Sequence, residues 1–490
     1  MYCIGKLGKD ATMKKQNFVK IIALATGLAM LCGCTAQLPG SQAQVTDTPE
    51  TVVLESAEPE TSTVPDEAAP VAATKGTIAS RVEKMQPILD SIVRAIGVEG
   101  EGMYIPQDPV CFWSVLYLMG ENYGTTHPLV EKQGETVVVP RKVMQEFASA
   151  AFCDYDGLLD IPESLQTLVQ YDQGVDAYLL APSDMGETKT SVAYWCLLAD
   201  GTVSVTVTLY QGDDVYPSLG EVRFLLEDNP YADGVAEPIY LYSVMAAGTN
   251  ASYSGTWMQL DGQGNTVDLD GDGQDEKVTM SVTQEDKVHV QIDYAGKTYE
   301  DTYEYLSFPS LYLSDMDVTD GKKELYVCGD TGSDDYETYV YALNNGEIRK
   351  ASVWGSVETI VSDGTITLSS QVDVLGTYGG VCTYQVDKNW NFVRSTPYSV
   401  MQSVDAWTVR AVVTKLDGLP VVYVSSGEAA TLPVGTSMLV LMTDRQSYVV
   451  CELEDGQQVR VAIEWDSEGW PMRIAGAEDQ IWFGELMYAG

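Results

Sequence analysis

The sequence predicts a multidomain, mainly β protein with an α+β domain on its N-terminal side. Three observations predict it. The chain has 490 residues, and about 150 residues per domain is the ordinary scale, so one core cannot organise it all. Apolar residues keep helical spacing between residues 78 and 152, after which the period becomes two: Val203, Val205, Val207 and Leu209 alternate with hydroxylated residues. Acidic turns then recur at a nearly fixed interval, with Asp268 and Asp315 47 residues apart and Asp363-Gly364 48 residues further on. The composition is 45% hydrophobic and 20% charged, which supports a buried core and excludes wholesale disorder. Against 28 basic residues stand 71 acidic ones, a net charge of −43, so phosphate backbones repel the chain and nucleic acid is excluded as a partner.

The first element is an address. Lys14, Lys15 and Lys20 precede the apolar run Ile21 to Leu31, the charged and apolar parts of a secretory signal, and the run is shorter than the roughly 20 residues a membrane span needs. Residues 1–33 are read as this signal, with Met13 an alternative start. The run ends Leu31-Cys32-Gly33-Cys34, which resembles the lipobox of bacterial lipoproteins. The resemblance implies a diacylglyceryl anchor on Cys34, which makes the membrane a partner through lipid and places the protein on the extracytoplasmic face. Residues 34–77 are rich in Ala, Pro, Thr, Ser and Glu and lack hydrophobic periodicity, so they read as a disordered acidic linker.

Residues 78–250 read as the α+β domain. Helices are expected at 79–96, Cys111–Gly120 and Lys142–Phe152. Strands follow at Val192–Leu198 and Val203–Leu209, joined by the turn Asp200-Gly201, then at Glu221–Leu226 and Ile239–Val244. This order resembles the curved sheets of cystatin-like or nuclear-transport-factor-like folds. Six cysteines remain beyond Cys34 and no CxxC occurs. Cys196, Cys328 and Cys451 sit in apolar runs as small core residues, and pairing among Cys111, Cys153 and Cys196 stays open. The two histidines, His127 in a loop and His289 between Val288 and Val290, both read as solvated rather than catalytic.

Residues 251–404 carry the chemistry. A hard divalent cation needs several converging oxygens, and a loop with carboxylates at positions 1, 3, 5 and 9 and a carbonyl at 7 supplies them. Here those positions are Asp268, Asp270, Asp272, Glu276 and the carbonyl of Gln274, with Gly271 and Gly273 allowing the sharp turns. Calcium is the expected ion, held structurally; a solvated acidic hairpin is the alternative. An EF-hand would need an acid at position 12, where Thr279 stands, and flanking helices, whereas Val278, Met280 and Val282 alternate as a strand does. The second loop, Asp315 to Glu324, is one residue longer and has Thr319 at position 5, which favours a plain acidic turn stabilised by Lys322 and Lys323. Both loops resemble those of FG-GAP and VCBS repeats, which implies propeller-like blades. Three units are fewer than the four to eight of a closed propeller, so an incomplete one is expected.

Residues 405–490 contain Met438–Leu441, Tyr448–Leu453, the turn Asp455-Gly456 and Val459–Ile463, short strands with tight turns that resemble a bacterial SH3-like barrel. No Gly-x-Ser-x-Gly, phosphate loop or dinucleotide fingerprint occurs, and no catalytic residue is assigned. The 29 tyrosines against 8 phenylalanines suit contact faces and sugar stacking. The expected function is a non-catalytic binding module for a surface protein or carbohydrate ligand. The alternative is a hydrolase of glycan or cell-wall material using carboxylates of residues 97–250, which would need two of them about 5 to 10 Å apart in a cleft.

Overall fold

A computed structural model describes residues 76–97, 104–182, 188–212, 218–234, 238–249, 258–260, 264–282, 287–317, 320–332, 335–344, 346–361, 364–387, 390–403, 411–466, 472–484 and 486–488. The expected signal, Cys34, nearly all of the linker, Thr319 and Asp363 lie outside the described residues. The described chain is mainly β, built from several antiparallel sheets, none of them closed. Among the described residues no helix is long and apolar enough to cross a membrane.

Helix α1 (Ile78–Ile96) starts where the Thr77 side chain accepts the Ser80 N–H, and it buries Val82, Met85, Leu89 and Ile92 along one stripe. Helix α2 (Pro109–Tyr123) begins earlier than expected because Asp108 caps the Val110 N–H and Pro109 has the fixed φ a first turn needs. Helix α3 (Arg141–Ala151) follows Pro140. Between and after them lie β1 (Glu131–Gln133), β2 (Thr136–Pro140), β3 (Val169–Asp172) and β4 (Ala177–Leu180), a small sheet in the order β1-β2-β4-β3 that the sequence reading did not anticipate. Each of these strands is five residues or fewer, too short for a period of two to stand out.

The larger sheet of this domain is the meander β5 (Thr188–Leu197), β6 (Val203–Gln211), β7 (Ser218–Asp228) and β8 (Tyr242–Thr249). Val203, Val205, Val207, Phe224 and Val244 on one face join the helices in a single core. The strand expected at Ile239–Val244 is thus corrected to start at Tyr242. Asn229 explains the shift: its N–H donates to the Leu241 carbonyl at 2.9 Å and its Nδ2 to the Tyr240 carbonyl at 3.2 Å, holding both residues in the loop.

Three four-stranded antiparallel meanders come next. The first is β10 (Asn265–Val267), β11 (Glu276–Val282), β12 (Val288–Tyr294) and β13 (Lys297–Tyr303), preceded by β9 (Met258–Leu260). The second is β14 (Ser307–Ser314), β15 (Glu324–Asp330), β16 (Tyr336–Asn344) and β17 (Glu347–Trp354), with β9 added beside β14. The third is β18 (Ser356–Val361), β19 (Thr365–Asp373), β20 (Thr377–Val386) and β21 (Phe392–Arg394). Leu269, Val278 and Ile292 of the first meander share a core with Leu311, Leu325 and Leu343 of the second. At the same junction Lys350 bonds Asp301 and lies 4.5 Å from the Tyr303 ring centre and 4.8 Å from that of Tyr339.

The third meander continues through β22 (Tyr398–Val400) into the C-terminal strands, while β23 (Gln402–Ser403) pairs with β5. Those later strands are β24 (Ala411–Val413), β25 (Leu419–Tyr423), β26 (Ala429–Leu432), β27 (Ser437–Thr443), β28 (Tyr448–Leu453) and β29 (Gln458–Ala462), and the path runs β22-β27-β28-β29-β25-β26.

His127 requires a correction: it is buried, not solvated, with Nδ1 accepting the Leu129 N–H at 3.1 Å and Nε2 3.4 Å from Glu146 Oε2. His289 lies on the face opposite Val288 and Val290 and meets the Thr302 hydroxyl at 2.9 Å. The cysteines Cys111, Cys153, Cys196, Cys328, Cys382 and Cys451 are all free thiols.

One buried bond joins the first helix to a strand near the C-terminal side. The Ile78 N–H at the head of α1 donates to Glu452 Oε1 of β28 at 2.9 Å. Burial pushes the Glu452 carboxyl up to about 7, although that N–H and Arg81 pull it down. A carboxyl whose folded value is raised holds its proton better folded than unfolded, so its contribution is full below the ordinary value near 4.5 and is lost as pH rises through 7. Glu452→Gln should therefore match the wild type in stability at pH 4 and exceed it at pH 8, by at most about 3 kcal/mol. Scanning calorimetry across that range checks it, and parallel curves would contradict it.

Candidate metal centre

The acidic loop Asp268–Asp275 connects β10 to β11 and is shaped by its own carboxylates. Asp268 accepts the Gly271 N–H on Oδ1 at 2.9 Å and the Gly273 N–H on Oδ2 at 3.0 Å. Asp270 Oδ1 accepts the Asp272 N–H at 3.2 Å, and Oδ2 accepts the Tyr294 hydroxyl at 2.8 Å. From the head of β11, Glu276 turns back and takes the Leu269 N–H on Oε2 at 2.8 Å. Leu269 itself is buried, which anchors the loop to the core beneath it.

Asp268, Asp270 and Glu276 each offer an oxygen within 4.8 Å of the others, the one such acidic group among the described residues. Asp272 is not part of that group. Its carboxylate instead holds Gln274, from N at 2.7 Å and from Nε2 at 3.1 Å. The sequence reading thus named three residues that converge, and two, Asp272 and Gln274, that pair with each other. Burial pushes the Glu276 carboxyl above the usual range, and the charges of Asp270, Asp268 and Asp272 push it further in the same direction. A hard cation would relieve that repulsion. Each carboxylate oxygen accepting a single N–H or O–H retains lone-pair capacity for an ion, so the donor set fits one such as calcium.

The second loop repeats the construction. The Met316 N–H donates to Glu324 Oε2 at 2.9 Å, and burial pushes that carboxyl up to about 7. The Lys322 N–H donates to Asp320 Oδ1 at 2.9 Å. Successive loops are tied in register: the Lys323 N–H donates to the Leu269 carbonyl and the Gly364 N–H to the Met316 carbonyl, both at 2.8 Å. The role of Lys323 in this tie runs through its backbone, which no reading of its charge could have found.

An open cleft of about 780 Å³ lies beside the first loop, with Asp270, Asp272, Asp293, Tyr294, Lys297 and Lys322 on its walls. Two other clefts border the α+β domain. The one between α1 and β5 carries Glu83, and the one against the third meander carries Asp200 and Glu358. Of the carboxylates in residues 97–250, Asp200 alone lines either of these two. No protein-family profile matches the chain, and no curated protein matches it.

Gly271 is where the two loops touch. Its φ is +75°, and a Cβ there would stand 2.5 Å from the Gly321 carbonyl oxygen. Gly271→Ala should cost about 1–3 kcal/mol in backbone strain, with the contact to Gly321 adding to it. Urea denaturation of the two proteins checks this, and an unchanged midpoint would mean that the loops do not abut.

Proposed function

We propose that this chain is an exported, lipid-anchored surface protein of a bacterial cell, a non-catalytic binding module whose β repeats are stiffened by a structural calcium ion. The observation that carries the reading is the convergence of Asp268, Asp270 and Glu276 within 4.8 Å on a loop tied to the next repeat. Asp272 and the Gln274 carbonyl would complete the oxygen set after a small rearrangement. The FG-GAP and VCBS resemblance of both loops and their shared Glu-to-backbone bond support repeats of one kind. The lipobox-like Leu31-Cys32-Gly33-Cys34 supports the anchor.

The binding role draws on exposed aromatic rings. Tyr305, Phe308 and Trp354 are 80%, 83% and 60% exposed, and strand pairing sets them at the same end of the second meander. Large exposed rings on a strongly acidic protein suit a neutral partner, either a carbohydrate or an apolar patch on another surface protein.

Calcium that binds only the folded state stabilises it by about 2.7 kcal/mol at a hundredfold excess over Kd. Millimolar calcium should raise the melting temperature, EDTA should lower it, and Asp270→Ala should abolish most of the difference. Identical melting profiles in all three conditions would make the loop an ordinary acidic turn. For the anchor, Cys34→Ala should move the protein from the membrane fraction to the soluble one and end incorporation of labelled lipid precursor. Continued membrane attachment of the variant would remove the lipoprotein reading.

A further inference from the structure

Tyr294 ends a row that packing alone would fill with purely apolar side chains. Val288, Val290, Ile292 and Tyr294 alternate along β12 onto the core shared by the first two meanders, and Tyr294 is 7% exposed. A phenyl ring would pack there as well. What tyrosine adds is a hydroxyl, and both of its bonds lead away from β12. It donates to Asp270 Oδ2 of the first acidic loop at 2.8 Å and accepts the Gly346 N–H, from the turn between β16 and β17, at 3.0 Å. One oxygen thus joins the acidic loop of the first meander to a hairpin of the second.

The turn after Tyr294 fixes where that hydroxyl sits. Tyr294 pairs with Lys297 across Ala295 and Gly296, whose φ values of +50° and +72° are the two left-handed positions of a tight hairpin. Alanine is strained at such a φ. Its Cβ lies 4.0 Å from where a Cβ on Gly346 would stand, so the two hairpin turns abut beside the hydroxyl. Asp270 in turn is held at both oxygens, because Oδ1 takes the Asp272 N–H at 3.2 Å while Oδ2 takes Tyr294. Two such bonds set the plane of the carboxylate and leave each oxygen a lone pair for an ion.

We propose that Tyr294 is the positioning residue of the ion site, and that its hydroxyl couples occupancy of the first acidic loop to the β16–β17 hairpin of the next repeat. The proposal rests on the calcium reading. An occupied loop restrains Asp270, Asp270 restrains Tyr294, and Tyr294 restrains Gly346. Removing the hydroxyl frees the Asp270 carboxylate to rotate and takes the acceptor from the Gly346 N–H. Groups that orient a ligand without touching the metal change its affinity by about 10- to 100-fold when they are lost. A bond that served packing alone would stabilise the empty and the occupied loop equally.

Two measurements on the full chain test it, calcium titration calorimetry and amide exchange resolved to single residues, each on the wild type and on Tyr294→Phe. The variant should bind calcium at least about tenfold more weakly. Saturating calcium should slow exchange of the Gly346 amide at least about fivefold in the wild type and leave it nearly unchanged in the variant. The Gly201 amide, bonded to the Leu198 carbonyl in the β5–β6 turn, should not respond in either protein. Equal Kd values with equal exchange at Gly346 overturn the proposal and leave the calcium reading standing. So does a variant destabilised to the same extent in calcium and in EDTA at unchanged Kd, which would assign the hydroxyl to packing. A wild type that binds no calcium overturns both. The wild-type exchange comparison needs no variant, so a Gly346 amide indifferent to calcium sinks the proposal even where Tyr294→Phe fails to fold.

Discussion

The repeats depend on a glutamate that folds back. In each of the first two meanders the first residue of the second strand, Glu276 or Glu324, accepts the N–H of the apolar residue after the opening aspartate, Leu269 or Met316. That bond does two things. It closes the acidic loop against its own strand, and it leaves the apolar residue's carbonyl pointing outward to accept an N–H from the following repeat. Two equivalent bonds thereby tie the three meanders in sequence, each to the next.

This arrangement concentrates negative charge in the same places. Glu276 and Glu324 are buried beside several aspartates, and both carboxyls rise above their ordinary range chiefly through desolvation. Geometry that holds the repeats together thus also creates electrostatic stress, which a proton or a cation can relieve. In the first loop the oxygens of Asp268 and Asp270 lie close enough to Glu276 for one ion to serve all three. In the second loop, as in the first, the acids also accept backbone N–H groups, such as that of Lys322 on Asp320 Oδ1.

A second set of contacts closes the molecule on itself. Helix α1 is capped from β28 by Glu452, Leu441 of β27 enters the core of the helical domain, and β23 joins the edge of β5. The chain returns to its first described helix more than 370 residues later, as the separation of Ile78 and Glu452 records. Covering the second face of the β5–β8 sheet follows from this closure, and so does the cleft with its Arg223–Glu358 pair.

Periodicity alone located the three helices, most strands of the large sheet and the acidic loops, because each of these is decided by local spacing: a stripe every three or four residues, alternation, or glycine at a left-handed turn. The start of α2 is set by Asp108 and Pro109, a local signal that a reading from Cys111 on periodicity passed over. What lay beyond it were partners far apart in sequence. His127 reads as a loop residue until Glu146 packs beside it, and Thr206 reads as the solvent side of a strand until the third meander covers it. Asp272 has the right spacing for a cation ligand, yet the folded loop turns its carboxylate onto Gln274. Sequence determines which residues can sit on one face or in one turn; only the tertiary structure decides what lies across from that face, since burial and charge pairing are set by whichever distant segment fills the space.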